Sequence, residues 1–193
     1  MIQFYKPNPK NTGTACSFRV SPKDDCVFVN LIKQSSWDET KKRGSFSGNS
    51  QNPKMSASLK LNSMEMGEII SAIRRNSEFS GFHDSSKQIT KIRFSPYKRA
   101  SKENPEEVTQ VGFSLSISKE SKENAQEKTQ FLIGFTFGES VKLESYFCFA
   151  LAKIFEMSAL EQNNRQAANS SAPPQAKKPE AAKKPEAEED DLW

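Results

Sequence analysis

Flat rings stand beside cations at several places in this 193-residue chain. Tyr5 precedes Lys6, and Phe18 precedes Arg19. Trp37 is followed by Lys41, Lys42, Arg43 and Phe46, and Lys54 closes the same polar stretch. Lys91 and Arg93 bracket Ile92 and lead to Phe94, Tyr97, Lys98 and Arg99. Rings stack on other flat groups, and Lys or Arg side chains pair with anions. A surface carrying both suits a ligand that is planar and anionic by turns.

The residue types for bond-making chemistry are scarce. His83 is the one histidine, which excludes a metal site built on His. No Gly-rich phosphate loop, nucleophile elbow or Cys pair at zinc spacing occurs. No catalytic residue, cofactor or metal is therefore expected. His83 and Asp84 look like a base and its orienter, but neighbours on a strand end point apart, and the pair reads as a turn or capping contact. Cys16, Cys26 and Cys148 are an odd number and read as buried small apolar residues in a reducing compartment.

The elements that position these residues follow from periodicity. Ile2–Asn8, Gly13–Val20 and Cys26–Gln34 read as strands. The third has Val27, Phe28, Val29, Leu31 and Ile32 on both faces, so it belongs at the centre of a sheet or at a subunit contact. Ser35–Lys54 reads as a long mobile loop. Met55–Leu61 is a fourth strand. Asn62 and Glu65 then form a capping box, and Met66, Ile69, Ile70 and Ile73 make one apolar helix face ending at Arg74, Arg75 and Asn76.

The plan then repeats. Glu78–Phe82 and Gln88–Tyr97 are strands, followed by a charged loop from Lys98 to Glu107. Val111, Phe113, Leu115 and Ile117 alternate with serines. After a polar hairpin loop, Phe131, Ile133, Phe135 and Phe137 alternate again. A second helix, Val141–Met157, has apolar residues over a wide arc, which predicts burial on more than one side and self-association as a dimer or tetramer. The fold class is α+β: two antiparallel sheet-then-helix units, each ββββα-like, in one domain spanning 1–157.

Residues 158–193 differ in composition. They are rich in Ala, Pro, Lys, Glu, Gln and Asn, repeat Lys-Lys-Pro-Glu, and are expected to be disordered. This end carries a net charge of −2 and leaves +6 on residues 1–157. A basic body suggests a polyanionic partner. Glu186, Glu188, Glu189, Asp190 and Asp191 precede Leu192 and Trp193, an acidic run ending in apolar residues that a pocket with a basic rim would accept.

Two segments carry a family resemblance. Ser63-Met64-Glu65-Met66-Gly67 at the helix start and Glu78-Phe79-Ser80-Gly81-Phe82-His83-Asp84 after it resemble the Whirly proteins, which bind single-stranded DNA. Ser80-Gly81 is an insertion relative to that pattern. The resemblance covers roughly Gly13 to Phe155 and implies two sheet-then-helix units, with a tryptophan near Trp37. The lysine-glycine-lysine motif of that family has only Lys10–Ala15 as its nearest counterpart. The acidic end resembles the tips of bacterial and phage single-stranded-DNA-binding proteins, which dock replication and repair partners.

The site expected on these grounds is Tyr5, Lys6, Arg19, Trp37, Lys41, Lys42, Arg43, Phe46, Lys54, Lys91, Arg93 and Tyr97 for nucleic acid. Glu188, Glu189, Asp190, Asp191, Leu192 and Trp193 are expected to hold partner proteins or, when no DNA is bound, to occupy the basic sheet and regulate access to it. Phe18 and Phe94 share the parity of apolar neighbours and read as core. Arg19, Lys91 and Arg93 share the polar parity and are either solvated or ligand-facing. The expected function is sequence-independent binding of single-stranded DNA in replication, recombination or repair, without enzyme activity. RNA binding or transcription regulation on the same fold is the alternative, and a scaffold role is a third. No apolar run spans a membrane and no signal-peptide pattern opens the chain, so a cytoplasmic site, at a nucleoid or replication centre and in a bacterial or phage context, is expected.

Overall fold

The computed structural model describes residues 1–100, 106–124 and 127–170. The chain divides into two compact units, Met1–Ala159 and Leu160–Trp193. In the first unit, strands β1 (Ile2–Lys6), β2 (Thr14–Ser21), β3 (Cys26–Lys33) and β6 (Ser56–Asn62) form an antiparallel sheet in the order β1-β2-β3-β6. Helix α1 (Ser63–Arg75) follows. Strands β7 (Phe79–Asp84), β8 (Gln88–Ala100), β9 (Val108–Ser121) and β10 (Lys128–Thr136) form a second antiparallel sheet in the order β10-β9-β8-β7, and helix α2 (Phe137–Ser170) follows. The architecture is the expected repeated sheet-then-helix α+β plan.

Both helices start from the same local device. The Asn62 side chain accepts from the Glu65 N–H at 2.9 Å, and the Asn62 N–H donates to Glu65 Oε2 at 3.0 Å. At the second helix Thr136 Oγ1 accepts from the Glu139 N–H at 3.3 Å, and the Thr136 N–H donates to Glu139 Oε2 at 2.8 Å. Each box satisfies two helix-end donors and fixes where the strand stops. Phe137 consequently belongs to the first turn of α2 and is exposed, not part of the buried strand row.

Each sheet keeps one face for a shared core. Phe4, Cys16, Leu31 and Ala57 lie in register across the first sheet. Phe94, Leu115 and Ile133 do the same in the second. Phe135 joins the two: its ring centroid is 4.9 Å from Phe4, 6.5 Å from Phe18 and 6.3 Å from Phe94. Phe18 meets Phe147 of α2 at 5.6 Å. Burying each such ring stabilises the fold by about 1.5–3 kcal/mol.

Several expectations are corrected. Ser35–Lys54 contains a two-stranded hairpin, β4 (Ser36–Asp38) and β5 (Arg43–Ser45). Strand β8 runs on to Ala100, and β9 to Ser121. Helix α2 buries one stripe, Leu143, Tyr146, Phe147, Ala150 and Ile154, and leaves Val141, Phe149 and Phe155 exposed within the chain. Cys16 and Cys26 are buried, whereas Cys148 on α2 is exposed. The expected disorder from Ser158 is replaced by helix as far as Ser170. Ala, Leu, Glu, Gln and Arg propagate an already nucleated helix without tertiary help. The remaining end, including Glu188, Glu189, Asp190, Asp191, Leu192 and Trp193, lies outside the described residues. Among the described residues no helix is long and apolar enough to cross a membrane.

Candidate nucleic-acid interface

The alternation that buries Phe4, Phe18 and Val29 turns their neighbours outward. On the outer face of the first sheet, Arg19, Phe28 and Lys60 are in register across β2, β3 and β6. The Arg19 guanidinium lies 4.8 Å and the Lys60 amine 5.1 Å from the Phe28 ring centroid. Neither cation forms an ion pair among the described residues. One ring thus steadies two free positive charges, each contact contributing about 0.5–1 kcal/mol at an exposed site.

Tyr5 projects from the edge strand of the same face and is 57% exposed. Phe46 packs edge-on to it, with ring centroids 5.9 Å apart. Phe46 is brought there by the β4–β5 hairpin, which Gln34 anchors. The Gln34 side chain is buried; Oε1 accepts from the Asn8 N–H at 2.9 Å, and Nε2 donates to the carbonyls of Asn8 and Ser36 at 3.0 and 2.9 Å. Trp37 sits half-buried opposite Gly44, with its Nε1–H unpartnered among the described residues. At the hairpin tip Asp38 Oδ1 accepts from the N–H groups of Thr40 and Lys41 at 3.0 and 2.9 Å, which holds Lys41, Lys42 and Arg43 outward. Lys42 is paired with Glu39 at 2.9 Å, while Lys41 and Arg43 form no ion pair among the described residues.

Lys91 and Arg93 lie on the outer face of the second sheet, a different surface. Lys91 aligns with Phe82, Ser118 and Gln130; Arg93 aligns with Ser80, Ser116 and Leu132. Both are exposed, and both touch carboxylates, Glu120 at 3.7 Å and Glu78 at 2.7 Å. Exposed pairs of this type contribute about 0–1 kcal/mol, so a phosphate can take the carboxylate's place. Tyr97 lies half-buried over Gly134, with the Arg99 guanidinium 5.9 Å from its ring centroid.

Ten of the twelve expected residues therefore divide between two sheet faces and a hairpin. Lys54 stands elsewhere, in a groove it lines with Lys33, Lys87, Lys119 and Lys128. Lys6 is committed to another task. Its amine donates to Glu139 Oε1 at 2.6 Å, tying β1 to the start of α2. Burial pushes the Glu139 carboxyl up, but the Lys6 amine and the Thr136 donors outweigh it and hold that carboxyl below the usual range.

No family model matches the chain, and no curated protein matches it in sequence. Solved structures match its fold. WHY1 from Arabidopsis thaliana is 15% identical with a TM-score of 0.55, over 89% of this chain and 93% of that one. WHY3 from the same plant is 16% identical with a TM-score of 0.55, over 87% and 95%. The plant transcriptional regulator PBF-2 is 17% identical with a TM-score of 0.54, over 91% and 88%. The chain has a Whirly-like fold.

In this Whirly-like fold the resembling segment turns out to be structural. His83 faces inward from β7, and its Nε2 lies 2.7 Å from Oε1 of the capping Glu65. It locks the second sheet to the start of α1. Sequence reasoning missed Phe28, Lys60 and Phe82 as surface groups. The strand β3 pattern held a signal: Phe28, Asn30 and Ile32 share one parity, Val27, Val29 and Leu31 the other, and only the second is fully buried. Phe82 is 70% exposed beside Lys91.

Proposed function

We propose that this protein binds single-stranded DNA with little sequence preference, and that it acts without enzyme activity in replication, recombination or repair. The observation that carries the reading is the outer face of the first sheet. There a steadied Arg19–Phe28–Lys60 row lies on the same surface as the exposed Tyr5 and the half-buried Phe46 packed against it. Rings receive unstacked bases and the cations receive phosphates, an arrangement that duplex DNA cannot use because its bases are already stacked. The Whirly-like fold supports the same reading at the level of architecture.

Titration of labelled oligo-dT and of a duplex at several salt concentrations tests it. Tighter binding to the single strand, weakening with salt, is the expected result. Equal affinity for duplex, or affinity indifferent to salt, refutes it. A second reading, RNA binding or transcription regulation, draws on the likeness to a plant transcriptional regulator. RNA and DNA oligomers of one sequence separate the two, because only an RNA site gains from the 2′-hydroxyl.

The reading extends to self-association. Val141, Phe149 and Phe155 are large apolar residues exposed on α2. A second copy of the chain is the proposed cover, and sedimentation showing only monomer at micromolar concentration overturns that. The acidic end, Glu188 to Trp193, is proposed to recruit replication or repair proteins. A form ending at Ser170, the last described residue, is the variant to compare with the full chain. It is expected to keep DNA binding and lose recruitment. The proposed site of action is cytoplasmic, where the nucleoid or replication machinery supplies the strand.

A further inference from the structure

At one end of the space between the two sheets lies an open groove of about 740 Å³. Five lysines line it: Lys33, Lys54, Lys87, Lys119 and Lys128. They come from five separate segments, namely the end of β3, the approach to β6, the β7–β8 turn, the end of β9 and the start of β10. None of the five forms an ion pair among the described residues. Lys6, Lys42, Lys91 and Lys122, by contrast, each have a carboxylate.

Two of the amines are held in place. Lys33 lies 4.9 Å from the centroid of the buried Phe131 ring. Lys119 is half-buried and donates to the Ser58 carbonyl at 3.1 Å, bridging the two sheets. Burial pushes its pKa down, the sign of a charge short of a counter-ion. Three glutamates also line the groove. Glu120 already faces Lys91, while Glu123 and Glu127 sit in the β9–β10 loop without an ion pair among the described residues. Apart from Pro53 the rest of the lining is Ser56, Gln88, Ser121, Thr129 and Gln130, and among the described residues it includes no aromatic side chain.

A site with many amines and no ring cannot read a base. It can grip phosphates, whose oxygens accept from several ammonium groups at once. We propose that this groove binds consecutive phosphates of a polynucleotide strand, as a contact separate from the ring-bearing sheet faces. The inference rests on the proposed function only for the identity of the strand. Clustered phosphates from a free polyphosphate satisfy the same chemistry, so the test includes one.

The experiment measures the slope of log affinity against log salt for oligo-dT, with the full chain and with the K33Q/K87Q/K128Q variant. Each phosphate contact on a single strand contributes about 0.7 to that slope, so losing three is expected to flatten it by about 2. Binding of inorganic tripolyphosphate, followed by calorimetry, is run in parallel. Lys119 is left intact because it bridges the sheets. An unchanged slope in a folded variant overturns the proposal. If the triple variant fails to fold, E123Q/E127Q decides. Removing two carboxylates beside the groove is expected to tighten oligo-dT binding several-fold at low salt, and no change refutes the groove. Wild-type binding to oligo-dT that ignores the groove lysines leaves the proposed function standing without this site. Lysine-dependent binding of tripolyphosphate with none to oligo-dT leaves the site standing as a polyphosphate site and removes the proposed function.

Discussion

Phe4 and Tyr5 are adjacent on one strand and face opposite ways, so replacing each by alanine separates folding from binding. Phe4 is 4% exposed, with ring contacts at 4.9 Å to Phe135 and 6.0 Å to Phe18. Truncating such a ring removes its transfer energy and leaves a cavity, at a cost of about 3–5 kcal/mol. Tyr5 is more than half exposed, and its ring contact with Phe46 contributes about 0.5–1.5 kcal/mol. Tyr5→Ala is therefore expected to cost about 1 kcal/mol of stability. If a base stacks on Tyr5, the same change removes about 1–3 kcal/mol of binding. That is about a 5- to 150-fold rise in Kd for a single strand. Tyr5→Phe keeps the flat ring and is expected to bind like the parent chain. Urea unfolding gives the stabilities, and fluorescence anisotropy with oligo-dT, at a temperature where all variants are folded, gives the affinities. The expected pattern is a double dissociation, with Phe4→Ala unstable but binding normally, and Tyr5→Ala stable but binding poorly. Wild-type affinity in Tyr5→Ala, or a folded Phe4→Ala that loses as much affinity, refutes the assignment of faces to tasks.

Gly112→Ala should be among the most damaging single changes: φ is +146°, and an added Cβ would fall 1.9 Å from the Phe135 carbonyl oxygen, so a thermal melt should drop sharply or the variant fail to fold. Glu139 is held below its ordinary pKa by Lys6 and Thr136 against the opposing effect of burial, so its contribution is complete above the unfolded glutamate's pKa of about 4.3 and fades as pH falls through the lower folded value. Urea unfolding of Glu139→Gln should show a shallower acid-side loss than the parent; equal slopes would remove the Lys6–Glu139 clamp from the account. Alkylation of the native chain, read by mass spectrometry, should label Cys148 quickly and leave Cys16 and Cys26 until unfolding, because burial both shields those two and pushes their thiols up.

The parts legible in the sequence were those governed by neighbours in the chain. The Asn62–Glu65 box marked the start of α1 to the residue, because a cap is a contact within one turn. Alternation marked the core parity of Phe18, Phe94, Leu115 and Ile133, because successive strand residues point to opposite faces. Alternation does not say which strands pair, nor in what register. That decision belongs to the folded sheets, and it placed Phe28 between Arg19 and Lys60. It also gave Lys6 to Glu139 and gathered five lysines from segments spread between positions 33 and 128. Charge and aromatic content could be counted along the chain, but whether a cation is free or already paired depends on what lies beside it in space. The long helix shows the same limit: its sequence predicted an apolar arc wide enough for several contacts, and only the packed structure decided which stripe the core covers and which is left for another surface.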